Sequence, residues 1–194
     1  MAEIVEVRRH SLRGEGDALS SEGVELARRA AATLVGRYAA AFSSPKQRCI
    51  ETIRLFGATE FRVVPEFGLP PAELTDHDRH AEALRTRAGC SLLAAYLAIP
   101  ATHLILERFG SAFYEKLCAI AGDLPPGRNA LVVSHGGSVE PAILAAMPDW
   151  TLESLGGELR ECEGALFHFD GGILKRVELR RLQMAFSDSP APGV

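Results

Sequence analysis

The chain contains no apolar run near the roughly 20 residues that a helix needs to cross a bilayer, so no membrane-spanning helix is expected. Its first residues lack the basic-then-apolar order of an export signal. Its four cysteines, Cys49, Cys90, Cys118 and Cys162, form no C-x-x-C pair and match no zinc spacing. Reduced thiols and a cytoplasmic location are therefore expected. Positive charge is not in excess either. A formal net charge of −4 gives no basic field, so neither nucleic acid nor a membrane surface is an expected partner. There is no G-x-x-x-x-G-K-[ST] loop and no G-x-G-x-x-G after a strand, so no nucleotide cofactor is indicated.

What remains is a chain of 194 residues, 47% hydrophobic, which can bury a core without disulfide or metal staples. One domain over 1–186 is expected, with a small insertion at about 65–125 and a Pro/Ser/Gly-rich flexible tail at 187–194. Ile/Val-rich residues 3–8 form a predicted strand. A polar loop, Ser11 to Leu19, leads to a helix capped by Ser20 or Ser21 and ending near Gly36. Ala39–Phe42 is a short strand, followed by a helix with Pro45 at its first position and its end at Gly57. Phe61–Val64 is a strand, and 65–80 is irregular. Helical spacing covers 81–98, as one helix, and then about Thr102 to Ala121. Ala130–Ser134 is a strand, and Val139–Met147 a helix. Ala165–Phe169 and Ile173–Leu179 flank Asp170-Gly171-Gly172, a hairpin signal. Strand and helix alternate until that hairpin. The expected fold is α/β, a three-layer α/β/α sandwich with a mainly parallel sheet and an antiparallel edge hairpin.

Two of the strands run into histidines. Arg9 and His10 follow one, and His135-Gly136-Gly137 follows another. Ligands of open α/β sheets bind beyond the carboxyl ends of strands, so both imidazoles can share one crevice. A neutral imidazole can attack phosphorus and carry the phosphoryl group, and arginines nearby favour the neutral form. Arg48 falls in the first turn of the helix after the second strand, where free backbone N–H groups also favour anions. Arg13, in the loop after His10, can supply another guanidinium. A protonated His135 can neutralise developing charge, and the glycines after it let backbone N–H groups approach an oxyanion. Each position also has a plain structural reading: a backbone-bonded histidine, a solvated loop arginine, an arginine paired with Glu51 or Thr52. Their joint placement at three strand ends is what favours phosphate chemistry.

These segments resemble the histidine phosphatase superfamily, with its phosphoglycerate-mutase-like fold. The resemblance is carried by Val7-Arg8-Arg9-His10-Ser11, by Leu19-Ser20-Ser21-Glu22-Gly23, by Ser43-Ser44-Pro45-Lys46-Gln47-Arg48-Cys49-Ile50-Glu51-Thr52, and by Val133-Ser134-His135-Gly136-Gly137. It spans roughly residues 4 to 180 in the family's order. It implies a metal-independent phosphatase in which His10 is the phosphorylated nucleophile. Arg9, Arg48 and His135 would form the phosphate pocket with the Gly136 N–H. Arg13 matches an extra pocket arginine of the acid-phosphatase and phytase branch. Two departures stand out. Ser11 replaces the usual glycine. The segment that carries a glutamate general acid in many members is here Pro65-Glu66-Phe67-Gly68-Leu69-Pro70-Pro71-Ala72-Glu73, where Glu66 and Glu73 are candidates and neither is favoured.

The substrate class implied is a phosphorylated small molecule or a phosphoprotein, including phosphohistidine. A mutase-type phosphotransferase, a non-catalytic phospho-ligand binding module and a protein-interaction scaffold are the alternatives. His77-Asp78-Arg79-His80 suits a solvated polar loop better than a metal site. Cys49, beside Arg48, is either a thiol of lowered pKa or a small packing residue.

Overall fold

Alternation along the central strands decides the layers. In the computed structural model, which describes residues 2–182, Leu131 and Val133 of β4 (Asn129–Ser134) pack with Ala27, Cys49 and Ile53. These partners come from α1 (Ser21–Ala31) and α2 (Gln47–Leu55). The intervening Ala130 and Val132 pack on the opposite face with Phe113, Leu117 and Ile143, from α5 (Pro100–Asp123) and α6 (Val139–Ala146). Val5 and Val7 of β1 (Glu3–Arg9) join this second cluster. Each Val, Leu, Ile or Phe among them contributes roughly 1.5–3 kcal/mol by leaving water, so a strand buried on both faces holds both helix layers. Gly110 lets α5 sit close to α6: a Cβ there would lie 2.3 Å from the Pro141 carbonyl oxygen.

The remaining strands are β2 (Tyr38–Ser43), β3 (Arg62–Val63), β5 (Gly164–Asp170) and β6 (Ile173–Arg180). The six-stranded sheet has the order β3-β2-β4-β1-β5-β6. The first four neighbours are parallel, whereas β5 runs antiparallel to both β1 and β6. This is the expected three-layer sandwich with a hairpin at one edge. The chain leaves β1 toward β2, beyond β4, and leaves β4 toward β5, beyond β1. The connections therefore part at the β1/β4 boundary, the switch point at which α/β sheets bind ligands. Register sets the ends level there: Arg9 lies opposite Ser134, and Val133 lies opposite Ser43.

Several boundaries differ from the sequence expectation, for local reasons. The first helix stops at Ala31, not near Gly36, because the Thr33 hydroxyl bonds the Ala30 carbonyl at 2.7 Å and the Thr33 carbonyl then accepts from Arg8. The second helix starts at Gln47 rather than Pro45, because the Asp17 carboxylate caps the Gln47 N–H at 2.9 Å. The expected single helix over 81–98 is two, α3 (Asp78–Ala88) and α4 (Leu92–Ala98), broken at Gly89 with φ 63°. Ser91 then caps α4 by accepting from the Ala94 N–H. Residues 65–80 contain two 3-10 turns, Pro65–Phe67 and Ala72–His77, before α3 begins. The expected tail at 187–194, and residues 183–186 before it, lie outside the described residues.

Adjacent Arg8 and Arg9 point to opposite faces of the sheet, as strand geometry requires. Arg8 is buried with Glu6 at 2.7 Å and also donates to the Cys162 and Thr33 carbonyls. Glu6 in turn accepts from the Val35 N–H and the Tyr38 hydroxyl. Arg8→Ala leaves this carboxylate without its cation, so it should cost about 3–5 kcal/mol in urea unfolding, more than Arg9→Ala costs. A loss below about 1 kcal/mol would show that the pair has no structural role.

Candidate active site

Arg48 is the centre of the crevice. It sits on the first turn of α2, and only 7% of its surface is exposed. Its Nε–H donates to His10 Nε2 at 2.9 Å, and its Nη2–H to His135 Nδ1 at 3.1 Å. Its Nη1 pairs with Asp17. A guanidinium has no lone pair to offer, so both imidazole nitrogens facing it must be unprotonated. The tautomers follow. His10 carries its proton on Nδ1 and donates it to the Ser11 carbonyl at 2.6 Å. His135 carries its proton on Nε2 and donates it to Ser44 Oγ at 2.7 Å. The rings meet edge to face, with centroids 5.1 Å apart.

Electrostatics agree with this geometry. Burial pulls the His10 pKa down to about 4; Arg48 and Arg9 add to this, and the Ser11 carbonyl opposes it. Burial, then the His10 and Arg48 charges, pulls His135 to about 3. The expected protonated His135 is therefore corrected: in this site it is a neutral ring that positions Arg48. Cys49 takes the packing role. Its Sγ lies 3.6 Å from His135 Nε2, and burial pushes its thiol up to about 12.

Each partner is set by its own element. Thr52, one turn after Arg48, accepts the Ser11 N–H at 3.1 Å and donates to the Arg48 carbonyl at 2.7 Å. Ser11 is fully buried, and its hydroxyl donates to the Gly23 carbonyl at 2.6 Å. The only non-glycine residues with positive φ among those described are Arg37 and Cys162, so serine fits the backbone at position 11 without strain. Arg9 lies flat on Gly136: a Cβ there would stand 2.7 Å from Arg9 Nη1. Arg9 Nη1 donates to the Leu159 carbonyl and Nη2 to Glu161, both at 2.6 Å. Its buried Nε has no hydrogen-bond partner among the described residues. The cluster presents guanidinium N–H donors and an imidazole lone pair, a set built for an anion.

No protein-family model and no curated protein sequence matches the chain. Solved structures do. A phosphoserine phosphatase from Entamoeba histolytica, in complex with 3-phosphoglyceric acid, is 17% identical with a TM-score of 0.63, over 93% of this chain and 98% of that one. A mycobacterial glucosyl-3-phosphoglycerate phosphatase is 18% identical with a TM-score of 0.62, over 92% and 97%. An alpha-ribazole phosphatase from Shigella flexneri is 16% identical with a TM-score of 0.61, over 93% and 96%. These neighbours are histidine phosphatase superfamily members. The chain has their phosphoglycerate-mutase-like fold.

Within this phosphoglycerate-mutase-like fold, the structure brings together His10, Arg48 and His135, with Arg9 and Gly136 stacked beside them. The other sequence candidates lie outside the cluster. Arg13 is exposed, and its Nε donates to the Gly16 carbonyl of its own loop at 2.7 Å. Glu66 is exposed and pairs with Lys116 at 3.3 Å. It turns outward because its neighbour Phe67 is fully buried in the core. Glu73 is exposed on the second 3-10 turn. The segment is pinned over the site by its backbone instead: the Phe67 and Gly68 carbonyls accept from the Ser134 and Ser138 hydroxyls at 2.8 and 2.9 Å.

Two further residues organise the site, and no motif pointed to them. Asp17 both caps α2 and pairs with Arg48. Burial acts against its charge, but the Gln47 N–H and Arg48 outweigh it and hold its carboxyl below the ordinary value. Glu140, fully buried on α6, accepts the Gly137 N–H at 2.7 Å and the Leu159 N–H at 2.9 Å. One carboxylate thus fixes the glycine turn and the residue whose carbonyl holds Arg9. A polar residue just after the glycine turn was the one available signal for it.

The neutral histidines predict acid sensitivity. An unfolded histidine takes up a proton below about pH 6.5, whereas folded His10 and His135 do so only near 4 and 3. The unfolded chain therefore binds more protons as the pH falls, and stability that is complete above about 6.5 is lost toward pH 4. Thermal melts between about pH 7.5 and 4.5 should show Tm falling steadily, and His135→Asn should flatten the slope. Parallel slopes in the two proteins would rule out His135 as a source.

Proposed function

We propose that this protein is a phosphatase that hydrolyses a phosphomonoester or a phosphohistidine through a phosphohistidine intermediate on His10. The single observation that carries the reading is the unprotonated Nε2 of His10, oriented by its Nδ1–H bond to Ser11 and accepting from the Arg48 Nε–H, a bond that an incoming phosphoryl group displaces. Nucleophilic catalysis needs a lone pair at neutral pH, and a pKa near 4 supplies it. The structural neighbours, among them phosphatases for phosphoserine and glucosyl-3-phosphoglycerate, support the reaction class.

The phosphoryl group enters beside Arg48 and Arg9, and its oxygens take the N–H groups of both, including the unpartnered Arg9 Nε. The Gly136 N–H, which has no acceptor among the described residues, assists. The His10 lone pair forms the N–P bond as the bond from phosphorus to the leaving group breaks and the leaving group departs with the electron pair. Water then attacks phosphorus, the N–P bond breaks, its electron pair returns to Nε2, and phosphate is released with a proton. The fixed guanidinium charges stabilise the equatorial oxygens in both steps without reorganising.

One observation favours a second reading. Glu66 is paired with Lys116, Glu73 is exposed, and neither bonds the cluster, so the chain is alternatively a binding module for phosphorylated ligands. Turnover separates the two. Rapid quenching with an activated phosphate donor should trap an acid-labile, base-stable phosphoenzyme, and His10→Ala should lower kcat/KM by at least about 10³-fold. Full turnover by His10→Ala would refute the mechanism, and tight phosphate binding without any hydrolysis would favour the module.

A further inference from the structure

Both arginines of the candidate site already face a carboxylate. Arg9 pairs with Glu161 at 2.6 Å, and Arg48 pairs with Asp17. The two imidazoles between them accept from Arg48 and are neutral. The Cys49 thiol, pushed up to about 12 by burial, is neutral too. The formal charges of this inner site therefore cancel. Two groups further out oppose each other. Lys46, exposed at the N-cap of α2, acts on Asp17 and His135, and Glu140, buried beneath, acts on Arg9. Glu51, one turn along α2, accepts the Leu19 N–H and the Gln47 amide. A cleft of about 240 Å³ beside Arg9 and Gly136 adds one more carboxylate, Glu158, which accepts the Leu93 N–H at 3.1 Å. Arg13 is bonded within its own loop. Donors remain even so: Arg9 Nε is buried without a partner, and the Gly136 N–H has no acceptor among the described residues.

We propose that this site selects the phosphoryl group as its monoanion, and that the proton this group carries goes to the leaving group. The inference rests on the phosphatase reading and specifies the charge state of its substrate. Free donors without surplus positive charge suit an anion of low charge. A second negative charge would meet Asp17 and Glu161 at close range, where partial burial limits screening by water. His10 becomes cationic as it forms the N–P bond, which offsets one negative charge and no more.

The same choice supplies a proton that no carboxyl group offers. Glu66 pairs with Lys116, and Glu73 is exposed. Against the opposing effect of burial, the Gln47 N–H and Arg48 keep Asp17 ionised. In the balanced step, a proton passes from the phosphoryl O–H to the bridging oxygen. The P–O bond breaks with both electrons on that oxygen, and the His10 Nε2 lone pair forms the N–P bond. A neutral imidazole and a monoanionic ester become a neutral alcohol and an imidazolium bearing a dianionic phosphoryl group. One net negative charge stands on each side.

Binding and turnover test this separately on the full chain. Calorimetry uses inorganic phosphate, thiophosphate, whose second ionisation lies at lower pH, and sulfate, a dianion throughout. Phosphate affinity should fall about tenfold per pH unit once the second proton is lost, and the thiophosphate profile should be displaced to lower pH. Sulfate should bind at least about tenfold more weakly than phosphate at about pH 6. Asp17→Asn keeps an oxygen for the Gln47 N–H, and Glu161→Gln keeps one for Arg9. Each should flatten the decline and tighten sulfate binding at least about tenfold. In Asp17→Asn, kcat/KM for phenyl phosphate should lose its fall above about pH 6, whereas that for glycerol 2-phosphate, whose alkoxide needs the proton, should keep it. Phosphate affinity that is flat or rises with pH would overturn the proposal. So would profiles for phosphate and thiophosphate that coincide, since the titrating proton would then belong to the protein, to Glu140 above all. Loss of the glycerol 2-phosphate decline in Asp17→Asn would refute the proton transfer. Monoanion-selective binding with no turnover and no phosphoenzyme would instead bring down the phosphatase reading.

Discussion

A guanidinium buried between two imidazoles tolerates only one protonation pattern. Arg48 cannot shed its charge, so the nitrogens that face it must carry lone pairs. This fixes His10 and His135 as neutral rings of defined tautomer, each with its second nitrogen donating to a specified oxygen. It also accounts for Asp17, which balances the buried cation from the loop and caps the helix that carries it. Under the proposed mechanism, no proton has to leave His10 Nε2 before it attacks.

The sheet supplies the convergence. Parallel pairing of β2, β4 and β1 brings their carboxyl ends level, and the chain parts in opposite directions at the β1/β4 boundary. Strand alternation then divides the labour of two adjacent arginines. Arg8 is locked into a buried ion pair on the α1 side, while Arg9 turns to the site. Glu140 ties that site together from below, because its two oxygens hold the glycine turn and the residue that anchors Arg9. Gly136 has a steric reason to be glycine: the Arg9 guanidinium occupies the space of its side chain.

The segment between β3 and β4 lies over the candidate site. Its serine-pinned backbone and the packing of Phe67 send Glu66 outward, and the apolar residues that follow form cleft walls instead. The same packing that turns Glu66 outward leaves a largely apolar cleft beside Arg9 and Gly136.

The sequence by itself determined the element types, the three-layer sandwich with its hairpin, the strand-end positions of Arg9, His10 and His135, and the place of Arg48 on the first turn of the following helix. Those are local properties: periodicity, caps, and short motifs whose residues are close along the chain. Only the tertiary structure decided which of Arg8 and Arg9 faces the site, that His135 is neutral, that Arg13, Glu66 and Glu73 stand outside the cluster, and that Asp17 and Glu140 organise it. These are consequences of register, burial and contacts between residues far apart in sequence. A motif states which side chain is present, whereas its charge, direction and partner depend on what the fold packs against it.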